Sequence, residues 1–414
     1  MSNRNMIIGQ SGGPTAVINA SLAGAIECAF SMKEIDTVYG MVNGIQGLLE
    51  DNVIDLNERF ENNLSRLNRL SMTPAMYLGS CRYKLSDDEA EYKKIIDALQ
   101  KYDIGYFFYI GGNDSMDTVD KLSGYTKKNN IDIKIVGIPK TIDNDLMGID
   151  HSPGFGSAAK YIALAVRNVA YDTSIYSIKS VHIIEAMGRN AGWIAASSVL
   201  ARDSKNVAPH LIYLPEVPFS VDRFISDVKE KLSEYNSVIV VVSEGLKDEN
   251  GEYISARNSV DKFGHVMLSG TGNYLKNIVE EHIGCKVRAL EPGILQRSAG
   301  HTISFTDMTE AQNLGRVAVH AAVDGKTGVF ATLRRISDNP YSVEYDTEKV
   351  SVVANAEKTI PLEWITENQN DVTQEMVEYL KPLVRGAVQV PYRDGLPDYV
   401  GIAYLDMKKQ KYTD

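Results

Sequence analysis

One stretch constrains this chain more than any other. Lys134-Ile135-Val136-Gly137-Ile138 is a short apolar run, and Pro139-Lys140-Thr141-Ile142-Asp143-Asn144-Asp145 follows it without a break. A run of that length and composition reads as a strand buried on both faces, the habit of parallel sheets. Open α/β sheets bind ligands beyond the carboxyl ends of their strands. Two carboxylates at i and i+2 in that position can divide the work. One can take a proton from a hydroxyl while the other helps hold a metal. Lys140 and Thr141 set a cation and a hydroxyl beside them. Asp and Asn also populate turns for backbone reasons alone, so the stretch needs support from the rest of the chain.

The rest of the chain repeats the same alternation. Apolar runs predict strands over residues 5–9, 38–42, 106–110, 181–186, 210–214 and 237–242. Helical patterns follow over 17–30, 87–101, 113–127, 154–170, 191–201 and 222–235. Residues 43–70 read as polar and irregular with some helical periodicity. Gly270-Thr271-Gly272-Asn273 reads as a turn and helix cap, because no clear strand precedes it. Arg288 and Arg297 bracket an irregular stretch containing Pro292, a helix is expected over 311–323, strand-like pieces follow 327, and a short helix covers 375–380. There is no repeat, no low-complexity segment and no Pro/Gly/Ser-rich linker. The expected class is α/β: two doubly wound, Rossmann-like domains with mostly parallel sheets and an active site in the cleft between them.

Composition narrows the function. Across 414 residues, 43 basic and 54 acidic side chains leave a net charge of −11. No broad nucleic-acid or membrane surface is expected from that balance. An anionic substrate would need a local cationic pocket. Cys28, Cys81 and Cys285 are odd in number and far apart, which fits a reduced, cytoplasmic protein rather than a disulfide framework. Met1-Ser2-Asn3-Arg4 leads into a run too short for a signal peptide, and no apolar stretch reaches membrane-spanning length.

Several short motifs accompany the Pro139–Asp145 stretch. Gly9-Gln10-Ser11-Gly12-Gly13-Pro14 joins a strand to a helix, where free N–H groups and the positive dipole end favour phosphate. It is neither a Walker A loop nor G-x-G-x-x-G. Gly79-Ser80-Cys81-Arg82 puts a guanidinium on a glycine turn, suited to bidentate phosphate contact. In Gly111-Gly112-Asn113-Asp114-Ser115 two glycines let a ligand approach the backbone. Met187-Gly188-Arg189 and Gln296-Arg297 complete the set. In this order and spacing the motifs resemble the phosphofructokinase family, and its pyrophosphate-dependent branch in particular. The resemblance covers most of Gly9 to Arg297 and fades after about Val350.

The resemblance implies a reversible, glycolytic transfer of a phosphoryl group from pyrophosphate to the C1 hydroxyl of fructose 6-phosphate, with magnesium (Mg2+). It implies Asp143 as the base, Asp145 as its acidic neighbour, Thr141 at the reacting phosphoryl region and Arg189 as the stabilising cation. Gly12 and Arg82 match donor positions, joined by Asn113, Asp114 and Lys140. Thr141, Asp143, Met187, Gly188, Arg189, Glu244, Arg288 and Arg297 match sugar-phosphate positions, the last two gripping the 6-phosphate. Residues 1–153 with about 295–345 would form the donor domain, and 154–294 with about 346–414 the sugar-phosphate domain. A homo-oligomer, dimer or tetramer, is implied.

Donor choice turns on two positions. ATP-dependent members carry glycine where Asp114 and Lys140 stand. A carboxylate at 114 adds bulk and negative charge where a nucleotide would sit, while Lys140 can reach the short donor's far phosphate. The chain departs from relatives elsewhere. Asn113 replaces a magnesium-associated aspartate and keeps one amide oxygen as a ligand. Ile294 replaces a sugar-phosphate histidine. Ser180 replaces an arginine used across the subunit interface, with Lys179 beside it as the alternative cation. Leu22 and Ile26 occupy two effector-arginine positions, so control by ADP or phosphoenolpyruvate is expected to be weak or absent. The rival readings are an ATP-dependent 6-phosphofructokinase and a non-catalytic sugar-phosphate or nucleotide sensor. A dinucleotide oxidoreductase lacks its glycine fingerprint.

Overall fold

The structure is a computed structural model, and it describes residues 4–81, 83–260, 266–268, 270–353 and 357–403. In chain order the first half holds β1 (Arg4–Gln10), α1 (Ile18–Ser31), β2 (Ile35–Met41), α2 (Gly44–Leu49), β3 (Val53–Asp55), α3 (Asn57–Phe60) and α4 (Leu64–Ser71). Next come α5 (Glu89–Lys101), β4 (Ile104–Gly111), α6 (Asn113–Lys128), β5 (Lys134–Pro139) and α7 (Phe155–Thr173). The second half holds β6 (Ser180–Ala186), α8 (Trp193–Ser197), β7 (Leu211–Tyr213), α9 (Val221–Glu234), β8 (Ser237–Ser243), a β9–β10 hairpin (Ala256–Val260, Val266–Leu268) and α10 (Thr271–Ile283). The chain continues through β11 (Lys286–Leu290), α11 (Leu295–Ser298), α12 (Phe305–Val323), β12 (Val329–Asp338), β13 (Tyr341–Lys349) and α13 (Gln374–Leu380).

Two main sheets result. One has seven strands in the order β13-β12-β5-β4-β1-β2-β3, and the other has four in the order β11-β6-β8-β7. The central pairings are parallel: Ile8 lies opposite Gly40 on one side and Phe108 on the other, and Val136 continues the row beside Phe108. Only the outer pairs β2–β3 and β12–β13 run antiparallel in the larger sheet. The smaller sheet is wholly parallel. The strands are short, apolar and buried because helices cover both faces, as parallel pairing demands.

Helix α1 shows how the layers close. Leu22 and Ile26 are fully buried, each worth about 1.5–3 kcal/mol. α12 crosses α1 so closely that a Cβ on Gly24 would lie 2.1 Å from Gln312 O, and one on Gly315 would lie 2.2 Å from Ser21 O. No larger residue fits at either place. α12 also starts earlier than the sequence suggests, at Phe305, because Ser304 caps it by accepting from Asp307 N.

Two strands of the main sheets differ from expectation. β3 forms inside the stretch read as irregular, and β11 forms where only a loop was expected around Arg288. Both are edge strands of at most five residues, too short to show a period.

Candidate active site

The carboxyl ends of β1, β4 and β5 meet those of β6 and β8 around a cavity of about 520 Å³. Its lining includes Gly12, Asn113, Asp114, Lys140, Thr141, Asp143, Asp145, Met187, Arg189, Glu244 and Arg297. Eleven of the residues singled out in the sequence thus come together, from five strand ends and α11.

The loop after β5 forms the floor. Lys140 N donates to Gly111 O at 2.9 Å and Thr141 N to Pro153 O at 3.2 Å, which tie the loop to its neighbours. Thr141 Oγ1 accepts from Asp143 N at 3.1 Å, so the hydroxyl sets the turn that presents the carboxylate. Burial raises the Asp143 pKa, and Glu244 adds to the rise against the opposing cations Lys140, Arg189 and Arg297. Asp145 is raised too, first by burial and then by Asp143. A carboxylate held above its ordinary range is a stronger base than a solvated one, the property general-base chemistry requires.

One end of the cavity lies against glycine backbone. Gly12 has φ +78°, the left-handed region, and its carbonyl accepts from Ser80 Oγ at 2.8 Å. The Lys140 side chain is buried and its ammonium donates to Gly13 O at 2.8 Å. Burial pushes Lys140 down to about 8, while Asp143 and Asp145 resist. Arg297 lies against the same turn, since a Cβ on Gly13 would meet its Nη1 at 3.1 Å. Asp114 occupies the first turn of α6 and faces the same space.

On the opposite side, Gly188 with φ +130° turns the chain after β6 and places Arg189 in the cavity. Gly188 N donates to Glu244 Oε1 at 3.2 Å, and Met187 N donates to Gln296 Oε1 at 3.0 Å. Gly188 itself supports the lining rather than forming it.

The oxygens around Asn113 suit a hard cation. Asn113 Nδ2 donates to Asp145 Oδ2 at 3.0 Å, and among the described residues Asn113 Oδ1 and Asp145 Oδ1 are buried with no hydrogen-bond partner. Two adjacent buried oxygens of that kind match the ligand chemistry of magnesium.

Some expectations change. Arg288 is exposed on β11, opposite His182, and does not line the cavity. The alternation Lys286-Val287-Arg288 buries the valine and turns both cations outward. Lys179 donates to Leu232 O and to Tyr235 O, capping the end of α9 instead of standing free. Arg82 lies outside the described residues. The cavity also gains residues that sequence reasoning missed: Ser11, Tyr83, Lys84, Ser115, Asn190 and Glu357. Ser11 and Ser115 sit inside quoted motifs and were within reach, whereas nothing local marks Glu357.

Known proteins match closely. A family model described as Phosphofructokinase matches residues 5–322. The chain is 39% identical to the pyrophosphate–fructose 6-phosphate 1-phosphotransferase of Methylococcus capsulatus, over 99% of this chain and 98% of that one. It is 39% identical to the same-named protein of Xanthomonas campestris over 99% of each. The crystal structure of a pyrophosphate-dependent phosphofructokinase from Nitrosospira multiformis superposes with a TM-score of 0.88 at 39% identity, covering 97% of this chain and 96% of that one.

Proposed function

We infer the reaction from one premise: the chain belongs to the phosphofructokinase family. It transfers a phosphoryl group from pyrophosphate to fructose 6-phosphate, giving fructose 1,6-bisphosphate and phosphate. The observation that carries this reading is that Asp114 and Lys140 line the same cavity as Asp143. A carboxylate at 114 repels a nucleotide's longer phosphate chain, and the ammonium of Lys140 serves the short donor.

The roles follow from position. Asp143 takes the proton from the C1 hydroxyl, a contribution of about 10²–10⁴ in rate. Arg189 and Lys140 stabilise charge that develops on the phosphoryl oxygens. Thr141 orients the loop at the reacting region, and Gly12 cradles the donor, while the part of Arg82 rests on its match to a family donor position alone. Asn113 and Asp145 would hold magnesium, which when bound neutralises phosphate charge. Glu244, Met187 and Gly188 shape the sugar side, and Arg297 grips phosphate where the two sides meet.

Arg288 faces out, so its grip on a sugar phosphate requires a second copy of the chain. Tyr171, Ile175, Tyr176 and Ile178 are exposed at the end of α7, just before β6, and offer apolar surface for such a homo-oligomer. The residues of the seven-stranded sheet form the donor unit in this reading, and those of the four-stranded sheet the sugar-phosphate unit. Among the described residues no helix is long and apolar enough to cross a membrane, and the cytoplasm is the compartment that holds these substrates. Phosphorus NMR tests the reaction: pyrophosphate and fructose 6-phosphate should disappear together as phosphate and a C1 phosphoester appear. Hydrolysis of pyrophosphate without the ester would refute it.

A further inference from the structure

The loop bearing Asp143 and Asp145 is held from behind by a part of the chain beyond all the motifs. Asn144 stands between the two carboxylates, buried, with φ 55°. Asparagine tolerates that left-handed conformation better than most residues. Its Nδ2 donates to the Tyr379 hydroxyl at 3.0 Å, and its Oδ1 accepts from Ser152 N at 3.0 Å and from the Lys358 ammonium at 3.4 Å. The Tyr379 hydroxyl donates onward to Asp150 O at 2.8 Å. Lys358 Nζ also donates to Asp150 O at 2.6 Å and Ile149 O at 3.2 Å.

Backbone contacts join the same two segments. Lys358 N donates to Asp145 O at 2.8 Å, and Leu146 forms an isolated antiparallel bridge with Glu357. Lys358 also lies over the Trp193 ring at 5.5 Å. Among the described residues its ammonium forms no salt bridge: carbonyl and amide oxygens hold it. A half-buried cation held by carbonyl and amide oxygens instead of a direct ion pair is costly as a purely structural device. Its place directly behind Asp143-Asn144-Asp145 gives that charge a use.

We propose that residues 357–380 brace the catalytic loop, with Lys358 and Tyr379 as positioning residues that act through Asn144. The proposal rests on the reading of Asp143 as the base. A base misplaced by about 1 Å can lose about 10²-fold in rate, and Asn144 is the hinge that aims both neighbouring carboxylates.

A mutant cycle tests the brace. Tyr379→Phe removes only the hydroxyl, and Asn144→Gly removes the side chain while keeping the left-handed backbone accessible. Each should lower kcat roughly tenfold, with KM for both substrates within about twofold, and the double variant should be no worse than Asn144→Gly alone. Lys358→Met should lower kcat at least as much as Tyr379→Phe. Amide exchange over residues 141–152 should quicken in each variant while β1 exchanges as before. Unchanged kcat, additive losses in the double variant, or exchange that rises evenly through the chain would overturn the proposal. If Lys358→Met does not fold, the tyrosine–asparagine cycle decides alone. A wild-type protein without phosphoryl transfer would refute the catalytic reading instead, and the loop's exchange rates would still judge the brace.

Discussion

The wall built on the seven-stranded sheet and the wall built on the four-stranded sheet meet one cavity by different means. The first carries Gly12, Lys140 and Asp143 on loops after parallel strands, and Asn113 and Asp114 on the first turn of the helix that follows β4. The second brings Arg189 and Glu244 to the cavity but turns Arg288 outward. The first wall is also pinned from behind by a buried polar network. His151 Nε2 lies 2.6 Å from Glu310 Oε2 and its Nδ1 lies 2.7 Å from Asp150 Oδ1. On the proposed reading, the first wall supplies its donor contacts from one chain, whereas Arg288 on the second wall would reach a ligand only from a neighbouring copy.

The largest effect should come from the floor that both walls share. Asp143→Asn should cost about 3–5 kcal/mol in the barrier, with sugar-phosphate binding retained by calorimetry. Near-native turnover would reduce Asp143 to a turn residue.

The next effect probes the pinning of the first wall. His151 is buried, which alone would lower its pKa, but Glu310 and Asp150 outweigh burial and raise it to about 9. A raised folded pKa means the stabilisation is fully present below the unfolded value near 6.5 and is lost as pH rises through about 9. The difference in melting stability between wild type and His151→Gln should therefore shrink by roughly 3 kcal/mol between those limits. A constant difference would show that His151 is not charged in the folded state.

Arg297 separates the walls less cleanly, since it lies against Gly13 and acts on both Asp143 and Glu244. Arg297→Ala should raise KM for both substrates, by about 10-fold or more, as loss of a charged hydrogen bond costs about 1.5–3 kcal/mol. Arg288→Ala should act on fructose 6-phosphate alone and by less, on the order of threefold to tenfold. An equal rise in pyrophosphate KM for Arg288→Ala would break the comparison.

What the sequence disclosed follows the same division. Asp114, Lys140 and Asp143 were legible because each lies within a few residues of a strand end, where local spacing carries the signal. Arg288 was legible as a residue type but not as a position, because a five-residue edge strand turns it away from the cavity. Glu357, Lys358 and Tyr379 left no trace. Lys358 and Tyr379 reach Asn144 across 214 and 235 residues, distances over which no periodicity or motif operates. The glycine pair that lets α12 cross α1 was equally silent, since Gly24 and Gly315 acquire meaning only once the helices meet.

The central claim is that Asp114, with Lys140 beside it, selects the donor. The direct test compares kcat/KM for pyrophosphate and for ATP in wild type, Asp114→Gly, Lys140→Gly and the double variant, with fructose 6-phosphate and magnesium saturating. Wild type should use pyrophosphate and not ATP. Asp114→Gly should open a measurable ATP activity, Lys140→Gly should mainly weaken pyrophosphate use, and the double variant should exceed either alone because the side chains share one pocket. Equal or better turnover of wild type with ATP, or a gain in ATP use from Lys140→Gly and none from Asp114→Gly, would contradict it.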